Sequence, residues 1–557
     1  MAVLDNVFRG PHSVAEYFNP ESNPPLPLVE IPDRLNPFRK DNVRIYAKML
    51  TCLPAQNVKS LPALHMLRME PRAQSRKIAE ASSGSTILSL GILARVLWGN
   101  EDVEAHVTNK KSVESLNLLR FFGIKPCLYG GLPQQEPTDP TGIMARLRRR
   151  AVAASNDMVY LGQYDNHNNW KAHAAWTGPQ ILRQLPEINV FSTTVGTGAN
   201  LEFSDEGCIA GTGMYLKSQK PSTTILGVFN ALGDPTPGPR YFDGFQSSAF
   251  PWQETIDSCV EVSSESAYRM SMRLSREGLI CGPSSGEALH GLLQYLAELK
   301  RSERLTELVD KQTNEISCVF TCSDLPYQYI SGYFERLEPD DFPPIENDVL
   351  LQCDQGRHDF RWILDGEQAV ELLSAAPNRG SDDEHSPETP IEGHVQRSGL
   401  ISGVSAYFGC WHGLLRMRKR CVIPRRLHPI HRHTQPNSPT LVLDLRNSND
   451  YEELHIPGSL SAPLPGLFQG LGGGDLFGDA EAVHMLCTRM QKWLQGAQLS
   501  RILAEAVRDR RPVILLCYDG LASQLGSSDL RQKGIEAFTV RGGFQALWSR
   551  YQKQANA

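Results

Sequence analysis

The stretch Ile188-Asn-Val-Phe-Ser-Thr-Thr-Val-Gly-Thr-Gly198 runs from an unbroken β-prone segment straight into a glycine-rich turn. A short run of Ile, Val, Phe and Thr closed by glycine reads as a buried strand, and a strand followed by a helical pattern is the repeating unit of an α/β sheet. Outward from it the unit recurs. RIYAKM (44–49) precedes a helical pattern near Leu61–Met69, TILSLGILARVLW fills 86–98, and TTILGVF (223–229) and SCVFTC (317–322) are further apolar runs. This alternation, from about residue 44 to 331, predicts open, twisted α/β sheets with helices on both faces. Ligands of such sheets sit beyond the carboxyl ends of the strands, so chemistry is expected in the loops there.

At 557 residues the chain is longer than one core usually organises, and 41% hydrophobic with 21% charged residues is ordinary globular composition. A net charge of −6 and the lack of a basic stripe interleaved with aromatics leave nucleic acid unexpected as a partner. The first eighteen residues hold no basic segment followed by an apolar core, and the apolar stretch 86–99 is short and contains Arg95. A cytoplasmic protein without a membrane partner is therefore expected. Twelve cysteines with no CxxC pair argue against a disulfide framework or a zinc ribbon. His428, His431 and His433 near Cys421 are irregularly spaced in an Arg- and Pro-rich stretch, which reads as a basic linker, so no metal site is expected.

From Ser374 to Thr440 the sequence turns polar, then dense in Arg, His and Pro, and LVLDLR, DAEAVHMLCTRMQKWLQ, PVILLCYDG and GGFQALWSRY then restore an α/β pattern. The expected domains are 1–345, a partly disordered linker or insertion over 346–440, and 441–557. Residues 362–375 read as a helix that could open the last domain.

Four segments of the first domain carry chemistry together. Leu53-Pro-Ala-Gln-Asn-Val-Lys59-Ser60 places a lysine after a turn, and Glu80-Ala-Ser82-Ser83-Gly84-Ser85-Thr86 opens a helix with hydroxyls. Thr194-Val-Gly196-Thr197-Gly198 ends a strand, and Cys281-Gly-Pro-Ser284-Ser-Gly286 precedes a helical run. Backbone N–H groups at helix N-termini suit carboxylates and phosphates. Singly, each is more often a surface lysine, an N-cap or a turn. In this order they resemble the cysteine synthase and cystathionine β-synthase family, fold-type II enzymes related to the tryptophan synthase β chain, over about residues 20–340. The resemblance implies that pyridoxal 5'-phosphate (PLP) is the cofactor and that Lys59 is its covalent attachment point. It assigns Gly196, Thr197 and Gly198 to the phosphate, Ser85 to the position facing the 3-hydroxyl, and Ser284 to the pyridine nitrogen. Ser82, Ser83, Thr86 and Gln163 would hold the substrate carboxylate. Two departures stand out: Ser85 replaces the family's asparagine, and Ala199–Cys208, with Glu202, Asp205 and Glu206, intervenes where the family continues directly into a helix.

Asp444-Leu-Arg446 and His455-Ile-Pro-Gly458, followed by Leu516-Cys517-Tyr-Asp-Gly520-Leu-Ala522-Ser523, resemble the rhodanese signature. There Cys517 would carry a sulfane sulfur as a persulfide, with Asp444 and Arg446 as a structural pair and His455 shaping a turn. Ala522 stands where the family often has arginine. Loop N–H groups around Cys517 predict the lowest thiol pKa of the twelve. The expected activity is PLP-dependent β-replacement or β-elimination on a serine derivative or cysteine, a transferase or lyase, coupled to sulfur transfer through Cys517. Expected partners are small amino-acid and sulfur substrates, with a homodimer left open. Two other readings stay open: an impaired PLP-fold scaffold with only the rhodanese domain active, and a thiol sensor without turnover.

Overall fold

The computed structural model describes residues 6–82, 84–131, 139–196, 206–239, 241–242, 254–374 and 440–555. The chain divides into two units, 1–343 and 344–557. The first unit holds β1 (Leu28–Glu30), β2 (Val43–Met49), β3 (Lys77–Glu80), β4 (Val103–Thr108), β5 (Lys125–Tyr129), β6 (Met158–Tyr160), β7 (Ile188–Thr194), β8 (Thr224–Asn230), β9 (Ser258–Val262) and β10 (Ile316–Cys322). They form a six-stranded sheet of order β1-β2-β10-β7-β8-β9 and a four-stranded sheet of order β5-β4-β3-β6. Only β1 runs antiparallel to its neighbour.

The large sheet is buried on both faces, and every residue of β7 is buried, without alternation. Val190 packs with Ile45, Leu226, Phe320 and Leu289 on one side. Phe191, its neighbour in the strand, packs with Ile225, Val319, Ile209 and Leu216 on the other. The sequence reading singled out no strand of the small sheet. These strands are three to six residues long, and Lys77, Glu80, Glu104 and His106 interrupt their apolar pattern. Ile78, Val103, Ala105 and Val107 nevertheless form a core with Ile87, Leu90 and Leu93 of the helix Ser85–Trp98.

In the second unit, β11 (Ile363–Leu364), β12 (Leu441–Asp444), β13 (Leu460–Ser461), β14 (Val513–Leu516) and β15 (Ala537–Val540) form a parallel sheet of order β11-β15-β14-β12-β13. Leu443 and Leu515 face one core and Val442, Ile514 and Leu516 the other. Within 346–440, expected as a linker or insertion with a helix over 362–375, residues 363–364 form a strand and 366–374 a helix. β11 pairs with β15, and Ala369 and Val370 of the helix Gly366–Ser374 are buried against Val540 and Leu547. The sequence pattern indicated a helix over 362–375 but not the strand before it, because a two-residue strand has no periodicity and its partner lies far along the chain. The stretch 375–439, with His428, His431, His433 and Cys421, lies outside the described residues. Among the described residues no helix is long and apolar enough to cross a membrane.

Candidate functional site

The loops that follow the parallel strands of the first unit meet. Lys59 follows β2, caps the helix Ser60–Arg68 and is 1% exposed. Asn57 organises its loop: its Oδ1 accepts from the Lys59 N–H at 2.9 Å and from the Ser89 hydroxyl at 3.0 Å. The Val58 N–H donates to the Ser323 carbonyl, just past β10, at 2.7 Å. The lysine loop is thus tied to the helix Ser85–Trp98 and to the end of the central strand.

The Ser284 segment joins the same strand end. Gly282 donates from its N–H to the Asp324 carbonyl at 2.8 Å, and the Ser323 N–H donates to the Ser285 hydroxyl at 3.0 Å. Ser284 is 5% exposed in the first turn of the helix Pro283–Arg301. Gly196 is buried two residues beyond β7, whose Ser192 hydroxyl donates to the Ala288 carbonyl at 3.0 Å.

Ser82, Ser85 and Thr86 are buried where β3 turns into the helix Ser85–Trp98. The Thr86 hydroxyl donates to Gln163 Oε1 at 2.6 Å, and Gln163 Nε2 donates to the Ala81 carbonyl at 3.0 Å. Two residues assigned from sequence to one carboxylate therefore touch each other. Ser83, Thr197 and Gly198 lie outside the described residues, as does 199–205 of the additional segment. Its far end needs redrawing. The helix begins at Glu206, Cys208 is fully buried, and Gly211 approaches the preceding helix so closely that a Cβ would stand 2.0 Å from the Trp170 carbonyl oxygen. Residues 206–208 belong to the scaffold rather than to the extra segment.

Sequence reasoning gave Glu80 no role, although it quoted the residue. Its side chain is fully buried, and burial pushes its carboxyl up to about 8 against the N–H donors of Gly162 and Ala81. A carboxyl beside Ala-Ser-Ser on a short strand gives no local signal of burial.

One group of metal-ligating type gathers among the described residues: the ligand atoms of Glu104, His106 and Cys127 lie within 4.8 Å of one another. Glu104 Oε1 already holds the ammonium groups of Lys77 at 2.9 Å and Lys125 at 3.0 Å, so a cation there would meet two positive neighbours.

In the second unit Cys517 directly follows β14 and is fully buried. Its sulfur accepts from the N–H groups of Gly520 at 3.1 Å and Ser523 at 3.3 Å, with the Ser523 hydroxyl at 3.2 Å. The helix Leu521–Gln532 starts inside this loop. Gly520, at φ +95°, admits no side chain, since a Cβ would lie 2.3 Å from the Val540 carbonyl oxygen. The expectation of an unusually acidic thiol is corrected. Burial pushes Cys517 above the ordinary thiol value, Ser523 and Gly520 oppose the shift, and Asp519 adds to it. The Asp519 carboxylate lies 3.6 Å from the sulfur. Two hydrogen-bonding residues do not offset complete desolvation.

Asp444 and Arg446 form a buried two-pronged pair, with Arg446 Nη2 2.7 Å from Asp444 Oδ2 and also donating to the Leu454 carbonyl at 2.7 Å. His455 is exposed, stacks on Tyr451 and has Nδ1 2.9 Å from the Tyr451 carbonyl.

Family models match both units. The family model described as pyridoxal-phosphate dependent enzyme matches residues 23–309, and the one described as rhodanese-like domain matches 431–550, leaving β11 and its helix ahead of the second match. A cysteine synthase of Aquifex aeolicus is 32% identical over 288 residues, covering 50% of this chain and 83% of that protein. A cysteine synthase of Staphylococcus aureus is 27% identical over 281 residues, covering 48% and 84%. The N-(2-amino-2-carboxyethyl)-L-glutamate synthase of Ralstonia nicotianae is 27% identical over 299 residues, covering 51% and 83%.

Proposed function

The chain belongs to the pyridoxal-phosphate dependent enzyme family, with PLP as cofactor and a second, rhodanese-like domain, and we propose that it replaces or eliminates the β-substituent of a serine derivative or cysteine and handles the sulfur through Cys517. The observation that carries the reading is the buried Lys59, on a loop that Asn57 fastens to the helix opened by Ser85 and Thr86 and that Val58 fastens to Ser323, itself bonded to Ser285. A buried amine, hydroxyls at two helix N-termini and a glycine turn beyond β7 are a donor set that fits an anionic aldehyde.

In this proposal Lys59 would hold the cofactor covalently, and its amine would move the α-proton of the substrate. Bound PLP supplies a sink for the electron pair left at the α-carbon. Ser82, Ser83, Thr86 and Gln163 hold the substrate carboxylate, Gly196, Thr197 and Gly198 the phosphate, and Ser85 faces the 3-hydroxyl. Ser284 offers the pyridine nitrogen a neutral hydroxyl. Such a group does not protonate the ring as an aspartic acid would, which favours loss and addition at the β-carbon over reactions needing a long-lived carbanion. The cysteine synthase relatives support a sulfur nucleophile.

In the second domain the Cys517 thiolate attacks the outer sulfur of a sulfane donor. A sulfur–sulfur bond forms, and the rest of the donor leaves with the electron pair of the bond that breaks. A nucleophilic acceptor then attacks the outer sulfur of the persulfide, and Cys517 leaves as the thiolate with the electron pair of the sulfur–sulfur bond that breaks. A cytoplasmic setting and a homodimeric assembly belong to the same proposal; the ten described cysteines, all free thiols, support a reducing compartment.

The test supplies purified protein carrying PLP with O-acetyl-L-serine and sulfide. Cysteine should form, and formation should stop in Lys59→Ala. Protein that carries PLP yet turns over neither O-acetyl-L-serine nor cysteine would overturn the proposal.

A further inference from the structure

We propose that Glu80 is a positioning residue for the substrate carboxylate, holding the Gly162–Gln163 backbone against the Ala81–Thr86 turn so that Gln163 and Thr86 present their polar groups together. The inference rests on the proposed assignment of Ser82, Thr86 and Gln163 to that carboxylate.

Glu80 ends β3, whose next residues form the turn, while Gly162 and Gln163 follow β6, the neighbouring strand. Glu80 Oε2 accepts from the Gly162 N–H at 2.9 Å, and its Oε1 accepts from the Ala81 N–H at 3.2 Å. The next residue reaches back: Gln163 Nε2 donates to the Ala81 carbonyl at 3.0 Å and its Oε1 accepts from Thr86 at 2.6 Å. Asn169 Nδ2 closes the ring on the Gln163 carbonyl at 2.8 Å. Each of these hydrogen bonds starts or ends within one residue of Glu80 or at Gln163. Gly162 has φ +67°, a conformation that does not hold the loop by itself, and the Glu80 carboxyl fixes its N–H.

A fully buried carboxyl is an expensive tether compared with an amide, and it brings a second property. The groups that bear on it are Asp165, which opposes its ionisation, and Tyr160, with Tyr164 and the Arg148–Asp165 ion pair beyond. No lysine or arginine among the described residues is hydrogen-bonded to Glu80, so burial keeps it protonated at neutral pH, with its pKa at about 8. Once ionised, it places a negative charge in a water-poor site adjoining the turn that receives an anion. Substrate affinity should then be full below pH 8 and fall as pH rises through it.

The experiment measures L-serine binding to the full-length, PLP-loaded protein by calorimetry between pH 6.5 and 9.5, for wild type, Glu80→Ala and Glu80→Gln. Glu80→Ala should weaken binding at pH 7 by about tenfold or more, the size of loss that small misplacements of binding groups produce. Glu80→Gln keeps an acceptor for the Gly162 N–H but sets a donor-only amide NH2 near the Ala81 N–H, so at pH 7 it should bind more weakly than wild type and more tightly than Glu80→Ala, and it should lack the alkaline loss. PLP content should stay the same in all three. Wild-type affinity in Glu80→Ala, or an unchanged alkaline loss in Glu80→Gln, overturns the role of Glu80. If Glu80→Ala does not fold, the Glu80→Gln pH series alone decides. If PLP-loaded wild type binds no L-serine at any pH while O-acetyl-L-serine is turned over, the carboxylate assignment of the turn is wrong and the inference falls with it, leaving the activity standing.

Discussion

The sulfur of Cys517 is held by groups that all lie between Asp519 and Ser523, a single turn between β14 and the helix that follows. The candidate PLP site is assembled from segments that follow β2, β3, β6, β7 and β10, joined by hydrogen bonds between residues as distant in sequence as Val58 and Ser323. A site made by one turn can be lost by one residue and leaves the rest of the fold alone. A site made by many loops depends on the sheets that bring them together, and its residues are fixed by one another.

The largest effect expected is a reciprocal loss. Cys517→Ser should abolish sulfur transfer from thiosulfate to cyanide and leave bound PLP unchanged, while Lys59→Ala should remove lysine-linked PLP and leave sulfur transfer unchanged. Removing a proton-transferring residue lowers turnover by roughly 10²–10⁴-fold, and Lys59 is also the attachment point. The two assays together break the comparison if either variant loses both properties.

A smaller effect is expected at the base of the one-turn site. Arg446→Ala leaves the Asp444 carboxylate buried without its ion-pair partner, a defect that destabilises by about 3–5 kcal/mol. Urea unfolding of the second unit, followed with sulfur transfer as a function of urea, should show the earlier transition, while PLP binding by the first unit is retained to the wild-type concentration. Equal midpoints would mean that the pair does not anchor the β12 turn.

The smallest effect concerns the thiol's charge state. Because burial raises the Cys517 pKa, only a minor thiolate fraction exists at neutral pH, and sulfur-transfer rate should climb about tenfold per pH unit until the thiol titrates. Asp519→Asn removes the carboxylate that adds to the shift, so the profile should move to lower pH and the rate at pH 7.5 should rise by about two- to fivefold. A lower rate in Asp519→Asn would assign the carboxylate a helpful part.

These two kinds of site also differ in how far the sequence announces them. Cys517 and Gly520 are three residues apart and Asp444 and Arg446 two, so each signal is local, and each follows or ends a strand. Their electrostatics were not legible, because the burial that raises the thiol comes from a core cluster that Cys517 shares with residues distant in sequence, Leu445, Leu464 and Leu486 among them. In the first unit the strands β2, β7, β8 and β10 were evident because burial favours runs of Ile, Val, Phe, Leu and Thr in them. The small sheet was not, and with it went Glu80, whose meaning depends on Gly162 across the strand pair. The short strand β11 shows the same limit, since its evidence is its pairing with β15.

The distributed site makes its most direct claim at one atom, the Nζ of Lys59. Protein isolated with PLP, treated with borohydride, digested and mapped by mass spectrometry should carry one pyridoxyl group, on the peptide containing Lys59. A pyridoxyl group on another lysine, or PLP-loaded protein that acquires none, would contradict the account.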